Sequence, residues 1–326
     1  MRLISILLAV VLASWAFTRS APELAELQEP GVEVAQLGEG RAVLITGAST
    51  GIGRSTAELL AQRGFHVFAG ARKVADLEAL DALENVTAVR LDVTVQADID
   101  AAVKTVADSG HGLFGLINNA GVVVAGPLIE VTDEDLEFQL DVNVKGPHRV
   151  TKAFAPMLIE SGGRVATTGS ISGVVCWGLG GPYTMSKHAI EAYTSVLAME
   201  LGPLGVDVAV IEPGNYRSAI MTSMVERMKA KGYTTEGSLF EEQMDGLFGS
   251  RLDRGQYKDP IEVAEAFLDF LTSETPQRRY MVVPHEGEAR MTISAALGRA
   301  VQMNADQPYE LSRDELVELL DELLAK

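Results

Sequence analysis

The stretch RAVLITGASTGIGRSTAELLAQRG, Arg41 to Gly64, decides the fold. It opens on a short apolar run that ends at a glycine, the pattern of a strand buried on both faces. Helical spacing then takes over and runs to Gly64, a C-terminal stop. Between strand and helix stand Gly47, Gly51 and Gly53, spaced G-x-x-x-G-x-G. Such a turn suits a phosphate: the chain reverses sharply, its backbone approaches a pyrophosphate, and N–H groups at the helix start bind the anion. The spacing is not the G-x-G-x-x-G of the standard dinucleotide motif. A purely structural turn is the competing explanation, and the strand before and helix after weigh against it.

Outward from this unit the pattern repeats. FHVFAGAR, TAVRLDV, GLFGLINNAG, GRVATTGS, VDVAVIEPG and RRYMVVP read as further strands, most of them separated by helical segments. Alternating strand and helix predicts an α/β fold: one doubly wound parallel sheet of about seven strands, helices on both faces. Extra helices follow at the C-terminus. There LSRDELVELLDELLAK sets Ser312 and Glu315 at capping-box spacing, and Leu316, Leu319, Leu320, Leu323 and Leu324 form one apolar stripe. That helix either docks on the domain or is donated to a partner subunit.

The N-terminus is different. Leu3 to Phe17, LISILLAVVLASWAF, carries no charge. A helix of that length spans roughly 22 Å, short of the roughly 30 Å hydrocarbon core. A short membrane anchor is the preferred reading, ahead of a cleaved signal and a buried core helix. The expected organisation is a hydrophobic segment over 1–20, a Pro-, Gly- and Glu-rich linker over 21–40, the α/β domain over 41–285, and a helical extension over 286–326.

Bulk properties exclude several classes. A formal charge of −18 argues against a nucleic-acid partner. A hydrophobic fraction of 47% is that of a globular chain. Cys176 is the single cysteine, so no internal disulfide forms, and the five histidines lack paired ligand spacing. No metal site is expected.

Two further features bear on chemistry. The second strand ends in AGARK. An acidic residue there would hold a ribose 2′-hydroxyl, but Ala71 is neutral and Arg72 and Lys73 follow. Arginine forks a 2′-phosphate well, which favours NADP over NAD. Downstream, GGPYTMSKHAIEAY places Tyr183 four residues before Lys187, on one face of a helix. Alone, such a pair reads as a solvated helix surface.

Taken in order, the motifs resemble those of the short-chain dehydrogenase/reductase family. They are TGASTGIG, LDV with Asp92, NNAG from Asn118 to Gly121, DVNVKG with Asn143, TGSISG with Ser170, YTMSK with Tyr183 and Lys187, and EPGNYRS with Pro213 and Gly214. The correspondence covers roughly residues 41–285. It implies a Rossmann-type domain and hydride transfer between a nicotinamide and a carbonyl/alcohol pair. It implies Tyr183 as the acid/base, since a lysine ammonium one turn away favours the phenolate of a group that ordinarily titrates near 10. Lys187 would also hold the nicotinamide ribose. Ser170 would polarise the substrate oxygen, and Asn143 would position a water linking Lys187 to solvent. The cofactor set implied is Gly47, Ser49, Thr50, Gly51, Ile52 and Gly53 in the turn, Arg72, Asp92 and Val93 around the adenosine, Asn119, Ala120 and Gly121 along the central strand, then Tyr183, Lys187, Pro213, Gly214 and Ser218. Ser218 stands where the family often has threonine. Thr50 stands where many NADP-dependent relatives carry a basic residue, so Arg72 would act with Arg54 or Lys73, and NAD use stays open.

Substrate contacts are expected from Val174–Gly181 and from about Asn215 to Arg254. The latter holds Met221, Met224, Met228, Phe240, Met244, Leu247 and Phe248. These either adapt to an apolar ligand or form the core of a helical hairpin. With the apolar N-terminus, they point to a lipophilic alcohol or ketone, somewhat like the substrates of the membrane-associated steroid and retinol dehydrogenase branch. A homodimer or homotetramer is implied, with the catalytic domain in the cytoplasm, where reduced NADP is plentiful. A non-catalytic NADP-binding regulator or scaffold on the same fold is the rival from another class. An epimerase or dehydratase of the extended branch is a second alternative, against which the glycine spacing argues.

Overall fold

A computed structural model describes residues 36–250 and 255–325, apart from the side chains of residues 249 and 250. Residues 3–17 and most of the linker lie outside the described residues. Among the described residues, no helix is long and apolar enough to cross a membrane.

The seven strands are β1 (Ala42–Ile45), β2 (His66–Ala71), β3 (Val86–Arg90), β4 (Gly115–Asn118), β5 (Arg164–Thr168), β6 (Asp207–Pro213) and β7 (Arg279–Val282). They form one sheet in the order β3-β2-β1-β4-β5-β6-β7. Every pairing is parallel. The helices are α1 (Gly51–Gln62), α2 (Val74–Asp81), α3 (Gln96–Asp108), α4 (Asp133–Leu140), α5 (Gly146–Ser161), α6 (Gly181–Leu201), α7 (Ile220–Ala230), α8 (Glu241–Ser250), α9 (Ile261–Thr272), α10 (Glu286–Asn304) and α11 (Arg313–Leu324).

β1 shows why its residues are all apolar. Val43 and Ile45 join one core layer, with Leu60 of α1 and Phe267 and Phe270 of α9. Ala42 and Leu44 point the other way, into a layer with Ile99 of α3 and Phe154 and Leu158 of α5. A strand covered on both faces has no solvated side to alternate toward. The winding reverses between β1 and β4, and that opens a crevice beyond their C-terminal ends.

Two C-terminal expectations come out differently. The capping box is present, with Ser312 Oγ accepting from the Glu315 amide and the Glu315 side chain accepting from the Ser312 amide. Yet no residue of α11 is buried, and Leu324 is 77% exposed, so its apolar stripe does not dock on the domain. By contrast, the first turn of α10 is part of the domain. Glu288 accepts hydrogen bonds from the backbone amide and Nδ2 of Asn215, both at 2.9 Å.

Candidate active site

The crevice at the switch point is a cleft of about 430 Å³, and the expected site residues line it with one exception, Gly53. Gly47 and Gly51 have positive φ, +66° and +55°. A Cβ on Gly47 would lie 2.8 Å from Ala120 Cα. A Cβ on Gly53 would lie 2.3 Å from the Gly47 carbonyl oxygen and 2.4 Å from Asn119 Nδ2. Gly53 therefore lets α1 press against the turn and does not itself line the cleft. Thr50 starts α1 without a side-chain cap, and the first turn has no acidic residue. Thr50, Gly51 and Ile52 line the cleft, so an anion there would satisfy the leading N–H groups of the helix. That cradle fits the pyrophosphate of a dinucleotide.

Thr46 braces this turn. Its hydroxyl accepts from the amides of Asn119 and Ala120, both at 3.0 Å. Asn119 Nδ2 in turn donates to the carbonyls of Thr46 (3.1 Å) and Gly47 (3.0 Å). The ends of β1 and β4 are thus locked together beneath the phosphate turn.

At the adenosine end, Arg72 is exposed and its Nη1 lies 3.6 Å from Asp92 Oδ2. Thr94 donates to Asp92 Oδ1 from its hydroxyl (2.7 Å) and its amide (3.0 Å). Burial pushes the Asp92 carboxyl up, but these hydrogen bonds and the Arg72 guanidinium outweigh it and hold it below its ordinary value. Lys73 and Asp76 also line this end. Arg54 does not: Glu58 takes its Nε at 2.5 Å and the Ala79 carbonyl its Nη1 at 3.3 Å. An arginine one turn before a glutamate on a helix has a partner within reach on its own face.

The catalytic end is built on α6. Its N-terminal turn carries Tyr183, and Lys187 follows one turn on. The Lys187 amine lies 5.6 Å from the centre of the Tyr183 ring and donates to the Thr168 carbonyl at 2.7 Å. Burial pushes the ammonium down to about 8, with the Glu191 carboxylate opposing. Lys187 is thus largely protonated at neutral pH. Ser170 follows β5, and its Oγ accepts from the Ser172 amide at 3.1 Å. With that lone pair engaged, its hydroxyl proton is free to be donated into the cleft.

Asn143 sits in a π-helical turn, Asp141–Lys145. Its side chain accepts from the Val122 amide (2.9 Å) and donates to the Val122 carbonyl (3.0 Å) and Ser186 Oγ (3.2 Å). These bonds fix the end of β4 to α6 and occupy both ends of the amide.

The methionines expected along the substrate wall do not line the cleft. Met221, Met224, Val225 and Leu247 pack with Val123 and Ala125, joined at the edge by Trp177 and Tyr183. These residues of α7 and α8 thus form a small core with the segment after β4 rather than the wall of the cleft. The cleft is lined there by Val122, Val123, Ile220, Ser223 and Arg227. Arg227 donates to the Val123 carbonyl and stacks 4.8 Å from the centre of the Phe138 ring. Reasoning from the sequence also passed over Thr46, Thr168 and Tyr216. Tyr216, in EPGNYRS, donates to Glu262 at 2.5 Å. The motif that carries it was the only available signal.

Comparison with known proteins agrees with this geometry. Residues 41–229 match the short chain dehydrogenase family. The chain is 33% identical over 244 residues to the uncharacterized oxidoreductase YbbO of Escherichia coli (strain K12), covering 74% of this chain and 85% of that one. It is 32% identical over 279 residues to the mitochondrial D-beta-hydroxybutyrate dehydrogenase of Mus musculus, covering 79% and 81%. It is 36% identical over 195 residues to retinol dehydrogenase 5 of Mus musculus, covering 58% and 61%. Among solved structures, a short chain dehydrogenase/reductase from Burkholderia phymatum in complex with NAD superposes with a TM-score of 0.70 at 24% identity, covering 84% of this chain and 99% of that one. A glycine turn shaped to take a pyrophosphate, a tyrosine–lysine pair one helical turn apart and a matching family over more than half the length lead to one conclusion: the chain belongs to the short-chain dehydrogenase family.

Proposed function

We propose that the protein is an NADP-preferring oxidoreductase that interconverts an alcohol and its carbonyl compound on a largely apolar substrate. One observation carries the reading: Tyr183, Lys187 and Ser170 line the same cleft as the phosphate turn. When bound, the nicotinamide accepts or supplies the hydride. The chain's own residues handle the proton and the substrate oxygen. The Tyr183 phenol exchanges a proton with that oxygen. Ser170 donates its hydroxyl hydrogen to the same atom and holds it in place. The Lys187 ammonium, packed 5.6 Å from the ring centre, favours the phenolate when Tyr183 has given up its proton.

The preference for NADP rests on Arg72 and Lys73 at the adenosine end, where a 2′-phosphate would meet two exposed cations. The apolar substrate rests on Val122, Val123 and Ile220 beside Tyr183, and on the likeness to a retinol dehydrogenase. The apolar run of residues 3–17 supports a membrane tether, the supply of reduced NADP supports a catalytic domain in the cytoplasm, and the unburied stripe of α11 supports a homodimer or homotetramer. A non-catalytic nucleotide-binding role has less support, because a binder needs neither Ser170 nor the Tyr183–Lys187 pair.

The deciding experiment is Tyr183→Phe assayed on a panel of apolar alcohols and ketones. Turnover is expected to fall about a thousandfold, with the affinity for NADPH nearly unchanged. Wild-type protein that binds NADPH but turns over no member of the panel would overturn the enzymatic reading.

A further inference from the structure

Behind the loop that carries Ser170 lies a buried group of charges that the reaction does not use directly. Glu191 stands one helical turn after Lys187 on α6, so the two side chains share a face. Its carboxylate is 14% exposed and does not line the cleft. Its Oε2 lies 2.6 Å from Nη1 of Arg279, a residue of the edge strand β7. The same guanidinium nitrogen bonds Glu212 of β6. Neither carboxylate oxygen of Glu191 meets a well-aligned hydrogen-bond donor among the described residues: Oε2 has the Arg279 ion pair alone, and Oε1 is buried without one.

That oxygen touches the serine loop instead. A Cβ on Gly173 would lie 2.7 Å from Glu191 Oε1, and one on Gly169 would lie 3.2 Å from it. The two glycines of TGSISG therefore leave room for this carboxylate. The loop is held from two sides: Lys187 grips the carbonyl of Thr168 at 2.7 Å, and Glu191 fills the hollow behind Gly169 and Gly173.

We propose that Glu191 is a positioning residue whose carboxylate, anchored by Arg279, keeps Lys187 charged and braces the Ser170 loop from the side away from the cleft. This rests on the catalytic reading of Lys187 and Ser170 given above. A buried lysine without an anionic neighbour loses its proton easily, and a carboxylate without a cation would not stay ionised there. Arg279 resolves both. The charged and titratable groups around Lys187 are Tyr183 and Glu191 on its own helix, with Glu212 on β6 and Arg279 on β7 behind them. β5, its following loop and the π-helical turn present the neutral Thr168, Ser170 and Asn143. Burial, then the Glu191 charge, push the Glu212 carboxyl upward against the pull of Arg279.

The test follows Lys187 itself by NMR titration of protein carrying 13C at lysine Cε, its signal identified by its loss in Lys187→Met. Glu191→Gln keeps the volume and removes the charge. It is expected to lower the Lys187 titration midpoint by about one pH unit or more, and Glu191→Asp is expected to restore most of it. The limb of the kcat/KM–pH profile that reports Lys187 should move with it. If Glu191→Gln does not fold, Gly173→Ala displaces the carboxylate from the opposite side and should lower the same midpoint. An unmoved midpoint in whichever variant folds overturns the proposal. Because the NMR readout needs no turnover, an inactive wild type would count against the enzymatic reading and leave this proposal to its own result.

Discussion

The phosphate turn and the adenosine rim lie in one cleft and are made in opposite ways. The turn is backbone against backbone: Gly47 within 2.8 Å of Ala120 and Gly53 within 2.3 Å of a carbonyl oxygen, measured from where a Cβ would stand. The rim is side chains at a strand end. Arg72 is 61% exposed and meets Asp92 at 3.6 Å. Close-packed backbone has no low-energy way to yield, whereas an exposed arginine can turn aside. On the proposed function, the turn would govern whether a dinucleotide binds at all, and the rim which one is preferred.

Three experiments sharpen or break that contrast. The largest effect is expected at the turn. Gly53→Ala pushes a methyl group into the Gly47 carbonyl and the Asn119 amide, an overpacking that costs about 1–3 kcal/mol. Both the melting temperature and the affinity for NADPH and NADH should fall together. Equal loss for the two cofactors is the signature, measured by fluorescence titration; a loss confined to one would break the contrast. Next comes Arg72→Ala. It should weaken NADPH binding about tenfold, the worth of one charge-assisted hydrogen bond, and leave NADH binding and the melting temperature nearly unchanged. An unchanged NADPH/NADH ratio would remove Arg72 from the proposed 2′-phosphate site.

The smallest effect concerns Asp92. Its folded-state carboxyl titrates below the ordinary value, so the unfolded chain binds its proton first as the pH falls. The resulting stabilisation is present above the ordinary carboxylate range and is lost as the pH drops through the folded-state value. Partial exposure and screening keep it small. Asp92→Asn should therefore be slightly less stable than wild type at neutral pH in urea titrations. The difference should fade toward acid. A constant difference would mean that hydrogen-bond geometry, not charge, holds Asp92.

The sequence made parts of this legible for physical reasons. Strand and helix identities followed from β1, whose side chains enter two core layers and so are uniformly apolar. Cleft residues such as Gly47 and Lys187 sit at fixed offsets from those elements. What escaped was whatever depends on partners far along the chain. Thr46 bonds amides more than seventy residues away, and nothing local distinguishes it from any threonine after a strand. Arg54 looked available because its competitor, Glu58, could be weighed only once the helix face was known. The methionines of α7 and α8 gave a pattern common to a hairpin core and a ligand wall, and only packing separates those two.

Glu288 has a consequence for how the molecule comes into being. Its carboxylate holds both donors of Asn215, directly after Pro213 and Gly214 of the cleft. A growing polypeptide therefore shows its glycine turn early on the ribosome but receives this support only after β7 has been made. Nascent protein thus has its glycine turn long before it has a finished cleft, and any ligand that needs both ends of that cleft would bind only the later state.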